Sequence, residues 1–100
     1  MAQLVVSDVA AADLSEILTH LEAQAGLAVA SRYQQDFTRL YEQLARFPGS
    51  GSLRPRLGAN IRIWTVSPYV VIYRLDVTED RVTIARILHG RRNITAKLVR

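Results

Sequence analysis

Apolar residues along this 100-residue chain fall into two rhythms, helical in the first half and strand-like in the second. Gln3 to Val6 is a short apolar run of the kind that forms an edge strand. Asp8 stands where an N-cap belongs, ahead of Leu14, Ile17, Leu18 and Leu21 at helical spacing, with Asp13, Glu16, His20 and Glu22 facing away. Gly26 stops this helix. A second helix is predicted from about Leu27 to Arg46, its stripe formed by Val29, Tyr33, Phe37, Leu40 and Leu44 and its wet side by Gln34, Gln35, Arg39 and Gln43. So short a break between them implies an antiparallel helical hairpin.

Phe47-Pro48-Gly49-Ser50-Gly51 ends the helical half, because proline cannot continue a helix and the glycines favour a turn. Ser52 to Asn60 reads as an irregular basic loop. Three strands follow, Ile61 to Val66, Tyr69 to Asp76 and Arg81 to His89, with turns at Ser67-Pro68 and Val77 to Asp80. Both connections are too short for a crossover, so the three form an antiparallel meander. Tyr69-Val70-Val71-Ile72-Tyr73 is apolar on both faces, which assigns it to the middle of a covered sheet. The expected fold is α+β: an N-terminal β-strand, then an α-helical hairpin packed on an antiparallel β-sheet, in one domain over residues 1–100.

Composition narrows the function. Cysteine is absent, which removes disulfides and thiolate metal sites; no apolar run is long enough to span a bilayer, and the first residues lack a signal peptide. A cytoplasmic location is the expectation. Charge is unevenly spread. Residues 1–50 hold six acids against three arginines, net −3, and residues 51–100 hold ten bases against three acids, net +7. Twelve of the thirteen bases are arginine, which favours bidentate grip on carboxylate or phosphate. Such a half attracts nucleic acid or an acidic protein surface.

No paired carboxylates, serine-nucleophile motif or metal-ligand spacing stands out, so a hydrolase or metalloenzyme has no support, and no cofactor or metal is expected. His20 belongs to the wet face of the first helix, and His89 suits a structural hydrogen bond at the end of the last strand. Arg86, Arg91, Arg92 and Arg62 form the candidate basic cluster. Alternation sets Arg86 on one face with Ile84 and Leu88, in solvent or against an acid. Gly90 lets Arg91 and Arg92 turn into a shared cleft. Trp64, Tyr69 and Tyr73 read mainly as core, the tyrosine hydroxyls near the rim.

The ordered set Ala11-Ala12-Asp13-Leu14 with Ile17, Phe47-Pro48-Gly49-Ser50-Gly51, Leu57-Gly58 with Ile61-Arg62 and Trp64, Tyr69 to Arg74, and Ile87-Leu88-His89-Gly90-Arg91-Arg92 resembles the ParE-type toxins of the ParE/RelE toxin–antitoxin superfamily over nearly the whole chain. The resemblance implies a toxin of a type II system, without enzymatic activity, that poisons DNA gyrase and blocks replication. RelE-type members instead cut mRNA in the ribosome, using lysines and arginines on the sheet, including an arginine after the tyrosine that opens the central strand, and often a tyrosine near the C-terminus. Here Val70 follows Tyr69, the only lysine is Lys97, and no tyrosine follows Tyr73. A RelE-like endoribonuclease and a non-toxic antitoxin-binding remnant are the alternatives.

The resemblance also implies a ParD-like antitoxin, with a ribbon-helix-helix DNA-binding region and an acidic tail, so that operator DNA is met only through that partner. The residues assigned to target binding are Arg62, Arg86, His89, Arg91, Arg92 and Lys97. Those assigned to the antitoxin are Leu18, Leu21, Tyr33, Phe37 and Trp64, the tail lying in the groove of the hairpin. Removing Ile94 to Arg100 is expected to lower toxicity more than antitoxin binding.

Overall fold

The computed structural model describes residues 1–99. Strand β1 is Gln3–Val6, helix α1 Asp8–Ala25 and helix α2 Leu27–Arg46, followed by strands β2 (Ser52–Leu53), β3 (Ile61–Val66), β4 (Tyr69–Asp76) and β5 (Arg81–His89). Ser7, rather than Asp8, caps α1: its Oγ accepts from the Ala10 N–H at 3.0 Å, which leaves Asp8 in the first turn to favour the helix dipole. Gly26 turns the chain between the helices at φ 92°, a backbone conformation that costs a side chain and suits glycine.

The sheet order is β1-β5-β4-β3-β2. β3, β4 and β5 form the expected antiparallel meander, and β4 is central. The sheet as a whole is mixed, because β1 runs parallel to β5, Leu4 beside Val82 and Val6 beside Ile84. That pairing joins residues nearly eighty positions apart, so no local pattern predicts it. The basic loop also holds more order than expected: β2 pairs with Arg62 and Ile63, and Pro55–Leu57 is a short 3-10 turn.

Both sheet faces are covered, unequally. On one, Ala10, Phe37, Leu40 and Leu44 of the hairpin pack on Tyr69, Val71, Tyr73, Val82, Ile84 and Ile87. Burying a side chain such as Phe37 contributes about 1.5–3 kcal/mol. On the other face Ile61, Ile72 and Leu88 meet Val99, with Leu57, Ile63, Val70, Ala85, Ile94 and Leu98 around them. Among the described residues, the cover here is the 3-10 turn and the C-terminal segment.

A bulge divides β5. Ile72 pairs with Arg86 and Tyr73 with Ile84, so Ala85 is an extra residue and the alternation resets. Arg86 therefore does not share a face with both Ile84 and Leu88: Ile84 lies under the hairpin and Leu88 in the opposite cluster.

Candidate functional site

The six residues assigned to a target do not form one cluster. Arg62, on β3, donates from Nη1 to the carbonyls of Gly49 at 3.1 Å and Gly51 at 2.8 Å, stitching the turn after α2 to the sheet. Arg86 sits at the opposite side of the sheet with its side chain 17% exposed, bonded to both carboxylate oxygens of Asp13 and to the Leu98 carbonyl. The hydrogen bonds that Arg86 donates to the Asp13 carboxylate raise its pKa above the usual guanidinium value, against the opposing effect of burial. Arg86 is thus held inside the fold, which corrects its reading as a free cation, whereas Arg62 is half-buried and commits one guanidinium nitrogen to backbone carbonyls.

His89, Arg91, Arg92 and Lys97 are exposed. His89 ends β5, its ring edge-on to Tyr69 at 5.7 Å, and its Nδ1 accepts from the Arg91 N–H at 3.1 Å. The Arg92 N–H donates to the His89 carbonyl at 3.0 Å, closing a tight turn that leaves both arginines in solvent rather than in a shared cleft. Gly90 is needed there for close approach: a Cβ would stand 3.0 Å from the Pro68 carbonyl oxygen. Lys97 lies on the short 3-10 turn Ala96–Leu98; Arg100 lies outside the described residues.

The hairpin residues assigned to an antitoxin are turned mostly inward. Phe37 is 1% exposed, and Leu21, Tyr33 and Trp64 are half-buried against the same core. Tyr33 stands edge-on to Tyr69 at 5.8 Å and donates to the Ser67 carbonyl at 3.3 Å. Leu18 is half-buried between the helices, in a shallow recess with Ala30 and Gln34. Phe37 itself offers no surface to a partner, being sealed in the seam between hairpin and sheet. A small hollow of about 340 Å³ remains on this side, lined by Ile17, Leu21, Tyr69 and His89.

A larger hollow, of about 450 Å³, opens on the opposite face. Leu57, Ile63, Val70 and Ile94 form its apolar wall, and Arg54 and Arg56 stand at its rim. The sequence held one signal for it, the basic loop containing both arginines. The apolar wall draws one residue each from a loop, two strands and the C-terminal segment, and no local pattern joins them. Among the described residues, no helix is long and apolar enough to cross a membrane.

Known proteins agree with this architecture. A family profile described as the ParE toxin of the type II toxin–antitoxin system parDE matches residues 4–94. Toxin ParE1 of Caulobacter vibrioides is 36% identical over 89 residues, which span 89% of this chain and 90% of that protein. Toxin ParE3 of the same organism is 36% identical over 86 residues, 86% of this chain and 84% of its own length. Among solved structures, a chain of the chromosomal ParDE system of P. aeruginosa superposes with a TM-score of 0.73 at 26% identity, covering 89% of this chain and 96% of that one. The order of elements, the helical hairpin on the sheet and the match over nine-tenths of its length establish that this chain belongs to the ParE toxin family of type II toxin–antitoxin systems.

Proposed function

We propose that this chain acts on DNA gyrase as a binding protein with no catalysis of its own, trapping the cleaved DNA complex, and that a ParD-like antitoxin holds it inactive in the cytoplasm. The observation that carries this reading against RNA cleavage is the setting of Val70. The side chain that follows Tyr69 lies in an apolar hollow with Leu57, Ile63 and Ile94, where an endoribonuclease of the superfamily would use a cation. Two further cations, Arg62 and Arg86, are held by backbone carbonyls and by Asp13. RNA cleavage needs 2′-hydroxyl activation together with stabilisation of the charged phosphate and leaving group. Exposed cations such as Arg91, Arg92 and Lys97, with Arg54 and Arg56 at the rim of the hollow, suit attachment to an anionic surface. The antitoxin enters from the relatives, one of which was solved as a ParDE system.

Induction of the chain in cells lacking the antitoxin tests the target. The expected response is DNA damage and blocked replication with intact mRNA. Messages cut on the ribosome without DNA damage would replace this reading by the endoribonuclease, and undisturbed growth with folded protein present would leave an inert antitoxin partner.

A further inference from the structure

The uneven charge along the chain becomes an uneven charge across the fold. All six acids of the first half lie on α1 and α2, the two helices of the hairpin. The sheet face turned away from the hairpin is flanked by cations instead. Arg54 and Arg56 stand at the rim of its hollow. Arg74 shares its face of β4 with Val70 and Ile72, which both belong to the apolar cluster on this side. Arg91, Arg92 and Lys97 belong to the C-terminal stretch that brings Ile94, Leu98 and Val99 to the same cluster.

All six cations are exposed, and none takes part in the ion pairs formed among the described residues. Arg54 donates from one nitrogen to the Leu53 carbonyl at 3.1 Å and keeps the rest of its fork in solvent. Arg54 and Arg56 lie on the β3 side of the hollow. Arg91 and Arg92 follow β5, two strands across, which is roughly 10 Å. The acids of the second half, Asp76, Glu79 and Asp80, sit at or beyond the end of β4, roughly 20 Å along the strand from Val70. Arg74, two residues before Asp76, marks where the basic strip ends.

We propose that this strip binds the sugar-phosphate backbone of duplex DNA directly, through the chain itself and without reading sequence. Cations spread along a strip, rather than gathered in one pocket, match a row of phosphates, and duplex DNA carries one charge per ~1.7 Å of its axis. Arginine forks take phosphate oxygens two at a time. The six cations sit on loops, one strand and a 3-10 turn, and none rides on a projecting helix that could enter a groove. Their contacts therefore fix position and carry no sequence information. The acidic hairpin faces the other way, so the field of the molecule turns the sheet face towards the duplex. The choice of DNA rests on the reading of a trapped DNA complex given above; the phosphate-binding strip does not.

Fluorescence anisotropy of a short labelled duplex of arbitrary sequence, titrated with antitoxin-free chain, tests the strip. Engagement of about four phosphates gives a slope of about −3.6 in log affinity against log salt, so a fourfold rise in salt should weaken binding roughly 150-fold. Arg54→Glu/Arg56→Glu and Arg91→Glu/Arg92→Glu should each weaken binding at least about tenfold. Arg32→Glu/Arg39→Glu makes the same charge change on the hairpin, where salt screens it from the duplex, and should stay within about threefold. All six positions are exposed, so the fold is kept, which circular dichroism checks. An equal loss in the hairpin variant would overturn the strip in favour of diffuse attraction to a basic protein. Folded wild-type chain that leaves the duplex free at low salt would overturn it too. Neither result touches the gyrase reading, which a supercoiling assay tests separately. Tighter binding of an RNA duplex of the same sequence would overturn DNA as the occupant. Displacement of the duplex by polyglutamate at equal charge would overturn phosphate as the group recognised.

Discussion

Asp13 of α1 and Arg86 of β5, 73 positions apart in sequence, form a two-point ion pair with Nε–Oδ2 at 2.8 Å and Nη2–Oδ1 at 3.1 Å. The same Oδ2 accepts from the Ile87 N–H at 3.0 Å, so the carboxylate occupies the edge of β5 just past the point where β1 ends beside Ile84. Ser7 completes the junction by donating to the Ala85 carbonyl at 3.1 Å. Arg86 also donates to the Leu98 carbonyl at 3.2 Å, tying the C-terminal segment to the same point. One pair therefore joins the hairpin, the bulged strand and the chain's end.

Removing either partner leaves a largely buried charge alone, the side chains being 17% and 13% exposed. Asp13→Ala and Arg86→Ala should each lower unfolding free energy by roughly 3 kcal/mol, the usual cost of breaking such a pair. The double variant should lose clearly less than the sum. Urea unfolding of the three variants measures the coupling.

Tyr73 is the hinge pin of the turn after α2. Its hydroxyl donates to the Pro48 carbonyl at 2.7 Å and accepts from the Gly51 N–H at 2.8 Å. Tyr73→Phe leaves that buried N–H unpaired and should cost about 1–3 kcal/mol. Gly51→Ala should cost more than an ordinary surface change, because its Cβ would meet the Tyr73 hydroxyl at 2.5 Å and the Ile63 carbonyl at 2.7 Å. Thermal unfolding compares the two.

Tyr41 behaves in the opposite way. Its hydroxyl is buried without a hydrogen-bond partner among the described residues, and burial pushes its pKa from 10.0 up to about 12. The unfolded chain releases this proton first, so its contribution to stability is full below pH 10 and falls as the pH rises towards 12. Tyr69 and Tyr73 are shifted upward as well, in both cases chiefly by burial, and add to the alkaline loss. Tyr41→Phe should raise stability at neutral pH by up to about 1 kcal/mol and flatten its decline above pH 10. Denaturation at stepped pH, with phenolate absorbance followed alongside, reads both effects.

The C-terminal segment is part of the second sheet face, with Val99 4% exposed against Ile61, Ile72 and Leu88. Val99→Ala should cost about 2 kcal/mol, whereas Lys97→Ala should stay within about 0.5 kcal/mol. Removing residues 94–100 should therefore depress toxicity and antitoxin binding together, through stability, and not toxicity first. Measuring both alongside the melting temperature decides between the two.

What was legible in the sequence was whatever repeats at short range. The apolar runs at Gln3–Val6, Ile61–Val66, Tyr69–Asp76 and Arg81–His89 mark the strand limits, and Leu27 and Arg46 bound α2. The helix start at Asp8 was blurred because Ser7 and Asp8 are both good caps, and only the hydroxyl contact to Ala10 distinguishes them. Long-range relations were not legible. The parallel pairing of β1 with β5, the choice of Asp13 by Arg86 and the bulge at Ala85 depend on how distant segments meet. An arginine on a strand looks the same in sequence whether it serves a partner or an internal acid. For that reason Arg62 and Arg86 were grouped with Arg91 and Arg92, although only the latter two reach solvent freely.

The most direct test of a gyrase-directed toxin is a supercoiling and DNA-cleavage assay with purified gyrase and antitoxin-free chain, run beside Arg91→Glu/Arg92→Glu. Wild-type protein should inhibit supercoiling and accumulate cleaved DNA. The double variant, altered only on an exposed turn, should keep its stability within about 0.5 kcal/mol and lose at least about tenfold in potency. Unimpaired supercoiling with no cleaved DNA, at stoichiometric excess of folded wild-type protein, would contradict the account.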